Sequence, residues 1–286
     1  MYVDDMIVTG NDFEQWKTLQ EHFTREFKMK DLSELKYFLG IEVSRSKKGI
    51  FLSQRKYALD LLNEIGMTTC SPTNTPMEEN LKLCVHSNQV PTNKERYQRL
   101  VGRLMYLAHT RPDLAYVLSV VSQFMHSPSE EHMNTVIRIL HYLKSSPRKG
   151  ILFTKGDNLD INSYTDADWA RSIQDRRSTF DYFTFVRGNL VTWQSKKYKV
   201  VARSSAEAEY RGMTKAICKL LWIRNLMQDL HIKQVSPMKL CCDNKAACDI
   251  AHNPVRHDRT KHVEVDRHFI KEKLEAKLIE VPHVRS

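Results

Sequence analysis

The sequence predicts an α/β protein in which a mixed β-sheet follows a shorter strand-and-helix region and a helical middle. Three observations predict this class. Residues 1–66 alternate strand and helix patterns, residues 95–146 repeat apolar side chains at helical spacing, and residues 147–286 give the order βββαβααβ. Strands joined late in the chain by helical crossovers favour helices packed on a mixed sheet.

The chain begins with two adjacent carboxylates. Asp4 and Asp5 lie between the apolar residues 2–3 and 6–8, and Thr9-Gly10 then indicates a turn. This pattern predicts a hairpin with the carboxylates at its tip, where nucleotidyl-transfer enzymes hold two metal ions. An acidic turn that arose by chance is the alternative for so short a motif.

Three further elements are predicted in the first region. Residues 11–27 show helical spacing, the runs 38–43 and 50–52 flank a turn at 46–49, and a short amphipathic helix ends at Gly66. From its residues alone, the hairpin formed by 38–43 and 50–52 is interpreted as structural scaffold. The stripe of the first helix contains four large apolar residues, Trp16, Leu19, Phe23 and Phe27.

The middle of the chain is predicted to be a connector followed by helices. Residues 67–94 are polar and contain three prolines, so we expect irregular structure there. Over residues 95–146, Pro112 suits the first turn of a second helix, and Ser129 suits the N-cap of a third. Their apolar stripes are expected to form a core.

The last region contains the elements of the predicted mixed sheet. A long helix separates three strands from a fourth, and two helical stretches precede a last strand. The predicted strands are 159–165, 182–186, 190–193, 238–242 and 278–281, and the predicted helices are 206–230, 245–251 and 263–275.

Three carboxylates of this region form a candidate metal site. Asp166 and Asp243 each end a predicted strand, and Glu209 lies near the start of the long helix. Ligands converge beyond strand ends in open α/β sheets. Carboxylates held together repel one another unless cations lie between them. Two Mg²⁺ ions, roughly 4 Å apart, would relieve that repulsion and hold a phosphodiester for hydrolysis.

Several motifs then follow the acidic pair in a fixed order. They are FLGIEV at 38–43, FLSQRKY at 51–57, NTPM at 74–77, YQRLVGRLMY at 97–106 and TRPDL at 110–114. Over essentially the whole chain, the sequence resembles the Pol polyprotein of copia-type long-terminal-repeat retrotransposons. The resemblance implies a truncated reverse transcriptase, with a palm and primer-grip-like region at 1–66 and a thumb/connection-like helical region at 67–146. A ribonuclease H-like domain at 147–286, truncated at the C-terminus, is implied to follow.

The resemblance also assigns roles. It implies that Asp166, Glu209 and Asp243, together with the mobile-loop residue His283, catalyse hydrolysis of RNA in RNA–DNA hybrids with two Mg²⁺ or Mn²⁺ ions. It favours Glu209 over Glu207 as the ligand. Asp4 and Asp5 are implied to be a polymerase remnant, inactive here because the family's third palm carboxylate is expected further upstream.

The chain departs from the family pattern at several positions. It ends at Ser286, before the family's fourth carboxylate. Phe180-Asp181 stands where the family has a small residue and Gly in a hairpin turn, and Tyr198 replaces a usual Gln. We therefore keep a second hypothesis, a catalytically dead nucleic-acid-binding remnant of a decayed retroelement. A third is a relic without a biochemical role.

Composition agrees with a nucleic-acid partner. The net charge is +10 and the isoelectric point is about 9.2, which suits a polyanion. Lys196, Lys197, Lys199 and Arg203 precede the long helix and are candidates for phosphate contacts, with a solvated loop as the alternative. The six cysteines show no C-x-x-C pair, so we expect reduced, structural thiols inside a cell. No signal peptide or membrane span is expected.

Overall fold

A computed structural model describes residues 6–79, 81, 83–156, 158–232, 236–252 and 264–285. The first helix, α1 (Phe13–Phe27), begins at Asp12, whose side chain accepts a hydrogen bond from the N–H of Gln15 at 3.0 Å. The predicted helix is therefore present, and Asp12 is its N-cap. None of its residues is buried, so its apolar stripe does not form a core within the described structure.

A four-stranded antiparallel sheet follows, with strand order β1-β2-β3-β4. Its strands are β1 (Tyr37–Phe38), β2 (Ile41–Ser46), β3 (Gly49–Ser53) and β4 (Gly150–Thr154). The predicted turn at 46–49 is confirmed, but the predicted strand at 38–43 is broken by a reversal at 39–40, where both residues have positive φ. Because β4 pairs with β3, residues 150–154 extend the first sheet although they follow the expected boundary at 147.

The middle region is helical, as predicted. Its helices are α3 (Lys94–Leu107), α4 (Ala115–Ser122) and α5 (Glu130–Ser145), and α2 (Arg55–Glu64), the short helix predicted in the first region, packs against them. A short 3-10 turn at 112–114 leads into α4. The apolar stripes of the four helices face one another and form one core, which includes Leu61, Tyr97, Leu104, Val121, Val136 and Leu143.

The second sheet confirms the predicted mixed α/β class. It contains β5 (Ile161–Asp168), β6 (Thr179–Val186), β7 (Asn189–Lys197), β8 (Met238–Cys242) and β9 (Ile279–Glu280). Their order is β7-β6-β5-β8-β9. The first three strands are antiparallel, whereas β8 and β9 run parallel to β5. The parallel pairs require the helical crossovers that the sequence predicted.

Helices cover this sheet and form the second core. They are α6 (Ser205–Asp229), α7 (Lys245–His252) and α8 (Glu264–Glu275). Alternate residues 161, 163, 165 and 167 of β5 are buried, as expected for a strand with one face against a helix. The buried side of α6 includes Ala208, Met213, Ala216, Ile217 and Leu220.

The expected turn at Phe180-Asp181 is wrong. Both residues lie inside β6, and Phe180 is buried against the second core. The chain needs no positive φ there, so the loss of a glycine causes no backbone strain. None of the described helices is long and apolar enough to span a membrane.

Candidate active site

Two neighbouring parallel strands bring their acidic residues together. Thr165 of β5 pairs in register with Cys242 of β8. Asp166 and Asp243 each come one residue later, so the same register makes them neighbours. Asp243 directly follows β8, at a carboxyl strand end where ligands bind in open α/β sheets. The prediction that Asp166 ends its strand is wrong, because β5 continues to Asp168.

Glu209 reaches this place from α6. Ser204 caps the helix by accepting a hydrogen bond from the N–H of Glu207 at 3.1 Å, which fixes where the helix begins. Glu209 is 4% exposed, and its Oε1 accepts the N–H of Ala167 at 2.8 Å. The charge of Asp166 also acts on this carboxyl group. A helix residue and a strand residue are therefore in direct contact.

The clustered carboxyl groups perturb one another. Burial raises the pKa of Glu209 to about 8, and the charges of Asp166 and Asp243 contribute to the rise. Burial also raises the pKa of Asp166, with Asp243 and Asp168 as further causes. A divalent cation would offset this repulsion by supplying the opposite charge. Three carboxyl groups fit a cation that prefers oxygen ligands, such as Mg²⁺ or Mn²⁺.

A thiol belongs to the same cluster. Within the part of the chain that the structure describes, one group of three metal-capable side chains has its donor atoms within 4.8 Å of one another. It consists of Glu209, Cys242 and Asp243. Asp166 is not a member of this group, but it lies close enough for its charge to raise the pKa of Glu209. Cys242 was predicted to be only a structural thiol; its position directly before Asp243 on a strand was the available signal.

His283 lies next to Asp243, after the last strand. It forms a parallel bridge with Cys242, and its Nε2 is 3.0 Å from the carbonyl oxygen of Asp243. Because a carbonyl only accepts hydrogen bonds, Nε2 carries the proton in this arrangement and Nδ1 is the basic nitrogen. The side chain is exposed. The structure thus brings all four residues that the sequence singled out to one edge of the sheet.

Two nearby acidic residues have basic partners. Glu207 forms an ion pair with Arg211 at 2.9 Å, and its Oε2 accepts the N–H of Arg203 at 2.9 Å. Asp168 forms an ion pair with Arg171 at 2.6 Å. These two ion pairs distinguish Glu207 and Asp168 from the three clustered carboxylates.

Sequence reasoning missed a further carboxylate beside Asp166. Asp181 lies directly opposite Asp166 in the antiparallel pair of β5 and β6, and directly opposed side chains share one face of a sheet. Burial raises the pKa of Asp181 to about 6, and the charges of Asp166 and Asp168 add to the rise. The apolar residues around Asp181 were the signal that it belongs to a strand.

The predicted basic segment divides into paired and exposed members. Lys197 forms an ion pair with Asp175 at 2.9 Å and donates to Ser172 Oγ, also at 2.9 Å. Lys196 and Lys199 are exposed, as is Arg203 directly before the N-cap of α6. The exposed members therefore flank the start of the helix that carries Glu209.

Two aromatic residues near this segment are structural. The indole N–H of Trp193 donates to the carbonyl oxygen of Ala108 at 3.1 Å, so it joins the second sheet to the helical region. Tyr198 is 7% exposed and donates its hydroxyl to the carbonyl oxygen of Ala208 at 3.0 Å. Its ring stacks on Phe180 with centroids 4.9 Å apart. Both departures from the family pattern, Phe180 and Tyr198, thus pack against each other.

A third aromatic residue remains accessible. Trp169 follows Asp166 by three residues and is 50% exposed. Its indole N–H donates to the carbonyl oxygen of Ala202 at 3.0 Å, which holds the ring against the loop that contains Lys199 and Arg203. A half-exposed indole ring therefore lies against the basic loop.

The N-terminal part of the chain matches a known family model. Residues 1–79 match the family "Reverse transcriptase (RNA-dependent DNA polymerase)". This match includes Asp4 and Asp5, the predicted polymerase remnant, which lie outside the described residues.

Curated relatives extend the match to nearly the whole chain. The retrovirus-related Pol polyprotein from transposon RE1 of Arabidopsis thaliana is 42% identical over 284 residues, which cover 99% of this chain and 19% of that protein. A putative transposon Ty5-1 protein of Saccharomyces cerevisiae is 30% identical over 223 residues, which cover 77% of this chain and 72% of that protein. The chain belongs to the retrotransposon Pol family. This Pol chain spans about a fifth of the length of RE1.

A solved structure resembles part of the Pol chain. LC11-RNase H1, solved in complex with an RNA/DNA hybrid, has 14% sequence identity and a TM-score of 0.32, and the match covers 44% of this chain and 86% of that one.

Proposed function

We propose that the second sheet of this Pol chain carries a metal-dependent ribonuclease H activity. The substrate is an RNA–DNA hybrid, and hydrolysis of its RNA strand leaves 3′-hydroxyl and 5′-phosphate ends. The observation that carries the proposal is the position of the buried Glu209, which accepts the N–H of Ala167 and feels the charges of Asp166 and Asp243. A buried carboxylate cluster costs folding free energy, and groups perturbed in this way are concentrated at functional sites.

Asp166, Glu209 and Asp243 are the residues that would hold the divalent ions. When bound, such ions activate a water molecule and neutralise the charge that develops on a phosphodiester. The N–H of Ala167 fixes one oxygen of Glu209, so the carboxyl group is oriented before any ligand arrives. His283 offers Nδ1 as a proton acceptor at the exposed edge of the site.

The surface around the site suits a nucleic-acid strand. The exposed Lys196, Lys199 and Arg203 supply positive charge for backbone phosphates, which gives binding that depends on salt and tolerates any sequence. The exposed ring of Trp169 can pack on a base or sugar, a contact that is also indifferent to sequence. These features support binding of an extended polyanion across the edge that holds the carboxylates.

Cleavage of a labelled RNA–DNA hybrid tests the proposal. We expect cleavage that is faster with Mn²⁺ than with Mg²⁺, because Mg²⁺ demands near-ideal octahedral geometry. Asp243→Asn and Glu209→Gln should each lower the rate by about a hundredfold, which corresponds to ~2.7 kcal/mol of barrier. Glu207→Gln is the matched control and should retain most of the activity. Equal rates for all four proteins would refute the assignment.

Binding without cleavage is the second candidate function. The three side chains whose donor atoms lie within 4.8 Å of one another are Glu209, Cys242 and Asp243, and Asp166 is not among them. This arrangement favours a site that no longer holds its ions for catalysis. Such a protein would bind the hybrid with affinity that falls steeply with salt, yet would leave it intact under both metals. If the affinity for the hybrid stays constant from low to high salt, electrostatic binding is excluded, whether or not the protein cleaves the hybrid.

A further inference from the structure

The thiol of Cys242 is a member of the carboxylate cluster. Cys242 is 0% exposed, and its Sγ lies 3.9 Å from Oε2 of Glu209. Together with a carboxylate oxygen of Asp243, these donor atoms lie within 4.8 Å of one another. The three residues come from two elements, the end of β8 and the second turn of α6, so only the packed fold brings them together.

This donor set differs in kind from three carboxylates. Mg²⁺ takes oxygen ligands, whereas Zn²⁺ binds cysteine sulfur, histidine nitrogen and carboxylate oxygen in tetrahedral sites. Thiolate ligands select soft or borderline ions. One thiol and two carboxylates supply three protein ligands, the number that zinc sites with an open fourth position use. The site therefore combines ligands that Mg²⁺ uses with one that Mg²⁺ avoids.

A purely structural role is the competing explanation for Cys242. Buried cysteines often act as small apolar side chains, and Cys242 borders Cys248, whose thiol lies 3.9 Å from the carbonyl oxygen of Cys242. That role does not require a carboxylate as the neighbour of the sulfur. Here the Sγ faces Glu209, which is itself 4% exposed. A buried thiol aimed at a buried carboxyl group places two metal-binding groups of different chemistry next to each other.

We propose that Cys242, Glu209 and Asp243 bind a thiophilic divalent cation, of the Zn²⁺ or Cd²⁺ class, at a position that overlaps the magnesium site. On binding, the thiol proton passes to solvent, the sulfur lone pair forms the bond to the cation, and no electron is transferred. The binding itself depends only on these three residues. The consequence, that such cations inhibit hybrid cleavage, rests on the proposed ribonuclease function.

Cadmium titration of the full chain, without nucleic acid, tests the binding. A cadmium–thiolate bond gives a charge-transfer absorption in the ultraviolet, and its intensity reports the bound thiolate directly. We expect Cys242→Ser to remove this absorption at the tightest site and Glu209→Gln to weaken Cd²⁺ binding by about tenfold, which is ~1.4 kcal/mol. Cys241→Ser, a change at the adjacent buried cysteine, should leave the absorption intact and controls for damage to packing.

Two results would overturn the proposal. One is an unchanged cadmium–thiolate absorption in Cys242→Ser; the other is a normal affinity in Glu209→Gln, a variant that keeps every thiol. Cys84 lies 2.8 Å from His86 Nε2, so Cys84→Ser identifies any contribution from that pair. A chain that binds Cd²⁺ as expected but never cleaves the hybrid would refute the ribonuclease activity while confirming this site.

Discussion

Helices α1 and α6 both carry apolar side chains, but the fold uses them differently. In α1 the stripe of Trp16, Leu19 and Phe23 is regular, yet none of its residues is buried. In α6 eleven described residues are buried, and the helix is packed between the second sheet and helices α7 and α8. Periodicity therefore predicts a helix in both places but does not predict its contribution to stability.

The surroundings of the two helices explain the difference. The stripe of α1 faces residues 29–38 across a cavity of about 650 Å³, so its apolar side chains remain in contact with solvent. The sheet beneath α6 offers a continuous apolar face, which includes Phe180 and Leu240. Removal of apolar area from water is the main stabilising term in folding. We infer that the second core supplies much more of the folding free energy than α1 does.

Matched leucine substitutions test this comparison and should give the largest difference. Leu220 in α6 is 0% exposed and Leu19 in α1 is 39% exposed. We expect Leu220→Ala to lower the free energy of unfolding by about 2–5 kcal/mol, because it leaves a cavity. Leu19→Ala should change it by less than about 0.5 kcal/mol. Urea unfolding followed by circular dichroism measures both, and equal losses would show that α1 is packed after all.

The acidic side chains of the two regions also differ in how deeply they are buried. Since burial raises the pKa of Asp181 to about 6, its ionised form destabilises the fold at neutral pH. We expect Asp181→Asn to raise the free energy of unfolding by about 1–2 kcal/mol at pH 7, measured with a chelator present. The gain should shrink as the pH falls below 6 and vanish below about pH 3, where the aspartic acid is protonated in both states. Glu21→Gln, on the exposed face of α1, is the control; an equal gain there would contradict the burial argument.

A buried histidine of the helical middle gives the smallest expected effect. His132 is 0% exposed and stacks on Phe124, and its Nδ1 accepts the N–H of Ser129 at 3.0 Å. Nε2 then donates to the carbonyl oxygen of Cys84 at 3.1 Å, so the ring is neutral. Burial lowers its pKa below the usual value, and hydrogen bonding to Cys84 only partly opposes this.

The sign of the pH effect follows from that shift. The unfolded chain binds the proton more readily than the folded chain, so the stabilisation is complete above about pH 6.5 and is lost as the pH falls towards the lower folded pKa. We expect a loss of about 1 kcal/mol between pH 7 and pH 5 that His132→Gln abolishes. His22→Gln, on exposed α1, should keep the loss. Thermal unfolding at several pH values decides between these outcomes.

The sequence by itself determined the order of elements and the identity of the candidate site residues. Hydrophobic periodicity is a local property, so the strands and helices from 95 to 281 could be predicted nearly to their bounds, apart from β4. Asp166, Glu209, Asp243 and His283 could be singled out because short motifs and a family resemblance mark them. Their contacts were not predictable, since each comes from a different segment of the chain.

Only the tertiary structure decided which side chains share an environment. Strand register placed Asp181 opposite Asp166, although the sequence suggested a turn, and helix packing placed Cys242 against Glu209. The tertiary structure also stacked Phe180 on Tyr198, two departures from the family pattern that look unrelated along the chain. The physical reason is that burial, pKa and metal affinity depend on distances between residues far apart in sequence. Those distances are set by long-range pairing and packing, which no local pattern encodes.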